Sequence, residues 1–158
     1  MKILYICTHN RCRSILSEAI TNQLAGDVLT ARSAGSQPSG QVHPLSLQYL
    51  QEKGYSTDGL QSQSWDDFAD FQADLVFTVC DAAAGESCPV WFGNSIKAHW
   101  ALVDPSKVVG SDAQKRSAFL TTIAEIEQRV AALAALARSA PDRAALRQGL
   151  LDMGVTLS

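Results

Sequence analysis

The sequence predicts an α/β domain, a four-stranded parallel sheet with helices packed on both faces. Three observations lead there. Short apolar, β-forming runs alternate along the chain with segments whose apolar residues recur at helical spacing. One run, residues 73–79, is apolar almost throughout, the pattern of a strand buried on both faces rather than one. Turn residues such as Gly26-Asp27, Ala34-Gly35 and Gly54 fall between the runs and not within them.

Residues 1–6 read as the first strand. Residues 7–13, Cys-Thr-His-Asn-Arg-Cys-Arg, form a short polar loop, and 14–24 a helix that carries Ile15, Leu16, Ala19, Ile20 and Leu24 at helical spacing. After the Gly26-Asp27 turn, residues 28–33 form a second strand, ended by Ala34-Gly35. Gln37-Pro38-Ser39-Gly40 is loop. His43-Pro44 opens a helix with Pro near its first position, running through Leu45, Leu47, Tyr49 and Leu50 to Gly54. Ser64 caps a short helix with Asp66 and Asp67 in its first turn. The strand at 73–79 delivers Cys80 to its carboxyl end, and a Gly- and Pro-punctuated loop over 81–91 carries Cys88. Residues 96–100 form a fourth strand leading to Leu102-Val103-Asp104-Pro105. From 112 to 138 the chain is one long amphipathic helix, with Phe119, Ile123, Ile126, Val130, Leu133 and Ala137 at alternating steps of four and three. Pro141 breaks it, and 142–151 form a short terminal helix. With no repeat and no low-complexity linker, one domain is expected: an α/β body over 1–138 and a helical extension of it over 139–158.

Composition narrows the function. A chain of 158 residues, 46% apolar and 18% charged, is an ordinary globular domain long enough to bury a sizeable core. Its net charge of −3 gives no reason to expect nucleic acid or an acidic membrane surface as partner. The opening apolar run is too short for a signal peptide or a membrane span, so the expected compartment is the cytoplasm. In a reducing compartment four cysteines point to reactive or metal-binding thiols rather than a disulfide framework. No Cys-x2-Cys or matching His spacing supports zinc, and no bound metal or cofactor is expected.

The chemistry concentrates in Cys7-x5-Arg13-Ser14. A strand turning through a short loop into a helix aims the loop's N–H groups and the helix's positive end at one point, which is an anion site. A thiol placed there, beside a cation, ionises more readily than a free one. Arg13 adds a planar fork of donors suited to a tetrahedral oxyanion. Ser14 can donate a hydrogen bond to the thiolate. Cys12, at the far end of the loop, reads as structural. In a parallel sheet ligands bind at the carboxyl ends of strands, and Cys7, Cys80 and Asp104 each follow a strand directly or within four residues. Expelling an oxygen leaving group requires a proton donor, a role Asp104 can fill. Phosphate transfer needs one cysteine and an acid; reduction of an oxyanion needs two electrons, which a thiol supplies by leaving as half of a disulfide. Cys80 and Cys88 suit the second chemistry, and either sulfur could reach Cys7 if the loop moves. His99 reads as a packed strand residue and His43 as a helix-start residue.

Cys7-Thr8-His9-Asn10-Arg11-Cys12-Arg13-Ser14 resembles the loop of the low-molecular-weight tyrosine phosphatases and of the arsenate reductases built on that fold, with His9 where a small residue is common. The stretch Thr78-Val79-Cys80-Asp81, Cys88-Pro89, Ala98-His99-Trp100 and Asp104-Pro105 is similar to arsenate reductases that pass electrons through an internal disulfide to thioredoxin. The resemblance implies that Thr8, His9, Asn10, Arg11, Cys12, Arg13 and Ser14 bind the oxyanion and that Cys7, Arg13, Cys80, Cys88 and Asp104 are catalytic. It also implies arsenate or a phosphate-like oxyanion as substrate. Thioredoxin, or glutaredoxin with glutathione, would be the external reductant. Tyrosine phosphatases of this fold usually place aromatic residues after Asp-Pro to wall a phenyl ring, whereas Ser106 and Lys107 stand here. Phosphomonoester hydrolysis is the alternative activity, and a non-enzymatic thiol sensor the third.

Overall fold

The structure is a computed structural model and describes residues 1–81, 89–91 and 93–157. Five strands form one sheet: β1 (Lys2–Cys7), β2 (Thr30–Gly35), β3 (Leu75–Thr78), β4 (Ile96–His99) and β5 (Thr156–Leu157), in the order β2-β1-β3-β4-β5. The first four are mutually parallel, with Cys7 level with Gly35 on one side of β1 and Ile6 level with Thr78 on the other. The expected four-stranded sheet gains a fifth, antiparallel strand, because the chain returns after the terminal helix to pair Leu157 with Ala98. Two residues are too few for any periodic signal.

Each helix starts for a local reason. α1 (Arg13–Ala25) begins at Cys12, which makes no side-chain cap, so the first amides of the helix are left facing the loop. α2 (Pro44–Glu52) is capped by His43, whose Nδ1 accepts the Leu45 N–H at 3.1 Å. α3 (Asp112–Ser139) opens with a reciprocal Ser111–Gln114 capping box. α4 (Arg143–Asp152) opens with Asp142, which accepts the Ala145 N–H.

Strand alternation divides the core. Ile3, Tyr5, Leu75, Phe77, Ile96 and Ala98 face one cluster, completed by Leu16 and Ile20 of α1, Leu50 of α2, Phe119, Ile123 and Val130 of α3, and Leu150 of α4. Leu4, Ile6, Ala34 and Val76 face the other, covered by Trp65, Phe68, Phe71 and Trp91. Among the described residues, the helix on that second face is a 3-10 turn, Trp65–Phe68. No helix among the described residues is long and apolar enough to cross a membrane.

The chain leaves β1 toward β2 on one side and later crosses to β3 on the other, so the sheet's crevice opens at the carboxyl ends of β1 and β3. Val79 N donates to Ile6 O at 3.0 Å there, which sets the residues that follow, Cys7 and Cys80, on neighbouring strand ends.

Candidate active site

The loop from Cys7 to Arg13 is held by its carbonyls. Thr8 O accepts from Gln37 N at 2.8 Å, His9 O from Ser39 N and Ser62 Oγ at 3.0 Å, and Arg11 O from His43 N at 2.9 Å. A planar trans peptide sends its N–H opposite to its C=O, so the amides of His9, Asn10 and Cys12 turn the other way, toward the loop's centre. Asn10 has φ 47°, a left-handed conformation that Asn tolerates, and it is fully buried. Its Oδ1 accepts from Gln63 N at 2.9 Å and its Nδ2 donates to Ser14 Oγ at 2.8 Å. Ser14 Oγ and Cys7 Sγ share a hydrogen bond at 2.9 Å, and when Cys7 reacts as a thiolate only the serine hydroxyl can be its donor. The sulfur of Cys7 therefore sits at the end of a hydrogen-bond chain that runs from Gln63 N through Asn10 and Ser14.

Beneath the loop lies Gly35. A Cβ there would stand 2.5 Å from Thr8 O and 3.0 Å from Asn10 N, so only glycine lets the end of β2 support the loop this closely.

A cleft of about 400 Å³ opens over the thiol, lined by Cys7, Thr8, His9, Arg11, Cys12 and Arg13 from the loop, by His43, and by Asp104, Ser106 and Lys107. Asn10 and Ser14 do not line it. Of the expected oxyanion ligands, these two have side chains buried behind the loop, where Asn10 meets Ser14 and Ser14 meets Cys7, which leaves their backbone amides for an oxyanion. Arg13 is buried, with Nη1 donating to Val79 O at 3.3 Å and Leu102 O at 3.1 Å. Its Nη2 lies 3.6 Å from Asp104 Oδ2. Asp104 Oδ1 accepts from Ser106 N at 2.9 Å and Ser106 Oγ at 2.6 Å, so Oδ2 is the oxygen turned to the arginine. Burial pushes the Cys12 thiol up to about 12, so it stays protonated near neutrality.

Of the remaining expectations, His99 is a packed strand residue whose Nδ1 meets Thr78 Oγ1 at 2.8 Å. His43 is more than a helix start, since it also walls the cleft. Burial and Arg11 hold its imidazole below the usual histidine range, so it is neutral near pH 7. With Nδ1 accepting from Leu45, its proton sits on Nε2. No local pattern shows this, because the contact joins the start of α2 to a loop thirty residues earlier. Ser106 and Lys107 stand at the cleft where an aryl ring would need a wall. Cys80 is buried and disulfide-bonded, while Cys7 and Cys12 are free thiols. Cys88 lies outside the described residues.

A parallel sheet whose first strand ends in a thiol, cradled by a loop with a buried arginine and faced by a carboxylate, defines an oxyanion-handling cysteine protein. Residues 2–144 match the low molecular weight phosphotyrosine protein phosphatase family, and the chain belongs to that family. An arsenate reductase of Halalkalibacterium halodurans is 34% identical over 128 residues, which cover 81% of this chain and 91% of that one. The crystal structure of an arsenate reductase from Archaeoglobus fulgidus matches with a TM-score of 0.68 at 28% identity, over 84% of this chain and 98% of that one. A thioredoxin-dependent arsenate reductase of Corynebacterium glutamicum matches with a TM-score of 0.64 at 28% identity, over 87% of this chain and 61% of that one.

Proposed function

We propose that the chain is an arsenate reductase of this family, serving arsenic detoxification, and that it works through a relay of Cys7, Cys80 and Cys88. Arsenate enters the loop, where the inward amides and Arg13 hold its oxygens. Cys7 thiolate attacks arsenic(V), an As–O bond breaks, and Asp104 Oδ2 supplies the proton with which the oxygen leaves as water. Cys80 thiolate then attacks Cys7 Sγ. The S–As bond breaks, its electron pair stays on arsenic, and arsenite departs as arsenic(III). Cys88 thiolate attacks Cys80 Sγ in the Cys7–Cys80 disulfide, which frees Cys7 and leaves a Cys80–Cys88 disulfide. An external dithiol of the thioredoxin kind, or glutaredoxin with glutathione, returns the two electrons. A reducing cytoplasm suits such a cycle.

The observation that carries this reading is the state of the sulfurs: Cys80 is disulfide-bonded while Cys7, in the anion cleft, is free. A disulfide at Cys80 beside a free nucleophile suits a redox cycle, whereas a phosphatase needs no disulfide.

Free thiols counted before and after arsenate, on fully reduced protein without external reductant, test the proposal. Two thiols should disappear for each arsenite formed. Arsenate turnover without thiol loss, or phosphoester cleavage as the sole activity, sinks it.

A further inference from the structure

The acid-bearing segment is gripped from two sides, and only one grip belongs to the oxyanion loop. Between β4 and Asp104 run Trp100, Ala101, Leu102 and Val103. Arg13 takes Leu102 O from the loop side, and Leu102 N donates to Val79 O at 3.1 Å. From the helix side comes Arg129 of α3. Its Nη1 donates to Trp100 O at 2.9 Å and its Nη2 to Ala101 O at 2.7 Å. The guanidinium lies 4.4 Å from the centre of the Trp100 ring, and Nη2 also meets Glu125 Oε1 at 2.7 Å.

Three successive carbonyls, at 100, 101 and 102, are thus fixed by two arginines. Helix docking alone gives no reason for the second one. α3 already buries Phe119, Ile123, Ile126, Val130 and Leu133 against the core, and withdrawing a guanidinium from water is costly where an apolar side chain would pack. A planar fork spent on two adjacent carbonyls fixes the orientation of their peptide planes, which a lysine cannot do. Those planes set the direction in which the chain reaches Asp104.

We propose that Arg129 is a positioning residue for Asp104: by clamping the Trp100 and Ala101 carbonyls it places the Asp104 carboxyl in the Cys7 cleft. The proposal rests on Asp104 being the proton donor, and the experiment separates the two claims. The single-turnover rate of arsenite formation is measured on reduced wild type, R129M, D104N and the double variant, with arsenate KM and Tm recorded for each. D104N should slow the step by ~10²-fold or more. R129M should slow it roughly 10- to 100-fold in the wild-type background, a misplaced acid being costly. In the D104N background R129M should slow it less than about twofold, since there is no acid left to place. KM should stay within about twofold, because the loop amides and Arg13 are untouched. R129K, which keeps the charge without the fork, is carried alongside should R129M not fold, and its loss must likewise vanish in D104N. Equal slowing by the Arg129 variants in both backgrounds, or none in either, overturns the positioning role alone. An unimpaired D104N overturns the proton-donor reading, and the proposal with it.

Discussion

Ser14 owes its usefulness to Asn10. Asn10 Nδ2 donates to the hydroxyl oxygen, and the hydroxyl is the donor available to the Cys7 thiolate. Loss of a hydrogen bond to a charged group costs about 1.5–3 kcal/mol, so S14A should slow thiolate attack roughly 10- to 100-fold. Iodoacetamide labelling of Cys7 at neutral pH should slow in parallel, and an unchanged labelling rate contradicts the assigned donor. His43 couples stability to pH. Its folded imidazole resists protonation through burial and Arg11, whereas the unfolded one titrates near 6.5. Between those values the unfolded chain binds more protons, so stability rises with pH in that window and is lost as pH falls from about 6.5 toward the lower folded value. Asn caps a helix without titrating, so urea midpoints of H43N should show a shallower fall between pH 7 and 5 than wild type. Parallel curves would remove His43 as the cause. Cys7, Arg13, Ser14 and Asp104 stand out in the sequence as candidates because each lies in a short motif whose chemistry is local. The division of labour inside the loop does not, since Asn10 turns its side chain away from the cleft only once Gln63, far along the chain, supplies its partner.

At the scale of elements, the strands and helices were legible wherever apolar periodicity spans several turns or residues. α3 follows its pattern from Asp112 to Ser139, β3 falls within its predicted run, and β1 is displaced by one residue from its run, taking in Cys7. β2 lies two residues later than expected, at Thr30–Gly35, because pairing with β1 pulls Ala34 and Gly35 into the sheet despite their turn-like character. That pairing gives Gly35 its role under the loop. In G35A the added methyl meets Thr8 O, a backbone atom that cannot swing aside, so a loss of about 1–3 kcal/mol is expected. Phosphate affinity should fall along with Tm, because the atoms displaced belong to the oxyanion loop. A variant with lowered Tm and undiminished phosphate binding would show the loop to be independent of β2.

For the whole molecule, function depends on bringing sulfurs from separate segments together in sequence. Topology takes Cys7 and Cys80 most of the way, as β1 and β3 are neighbours in the sheet although 67 residues separate them in the chain. The alternation of strands and helices made that meeting predictable before any coordinates. The relay then sorts the cysteines by what each loss should do. C80S should stop arsenite formation, and C88S should allow a single turnover and no more when thioredoxin and its reductase are supplied. Sustained turnover by C88S would mean that thioredoxin reads the Cys7–Cys80 disulfide directly. Mass spectrometry of the trapped C88S product should find Cys7 and Cys80 linked.

The short β5 strand has a consequence for the way the protein keeps to itself. By pairing Leu157 with Ala98 and Thr156 with His99, it hems a border of the sheet that would otherwise present unmet amides and carbonyls to any passing chain. Trimming the polypeptide after Met153 should leave the fold's centre intact yet make the molecules cling edge to edge, visible as concentration-dependent light scattering.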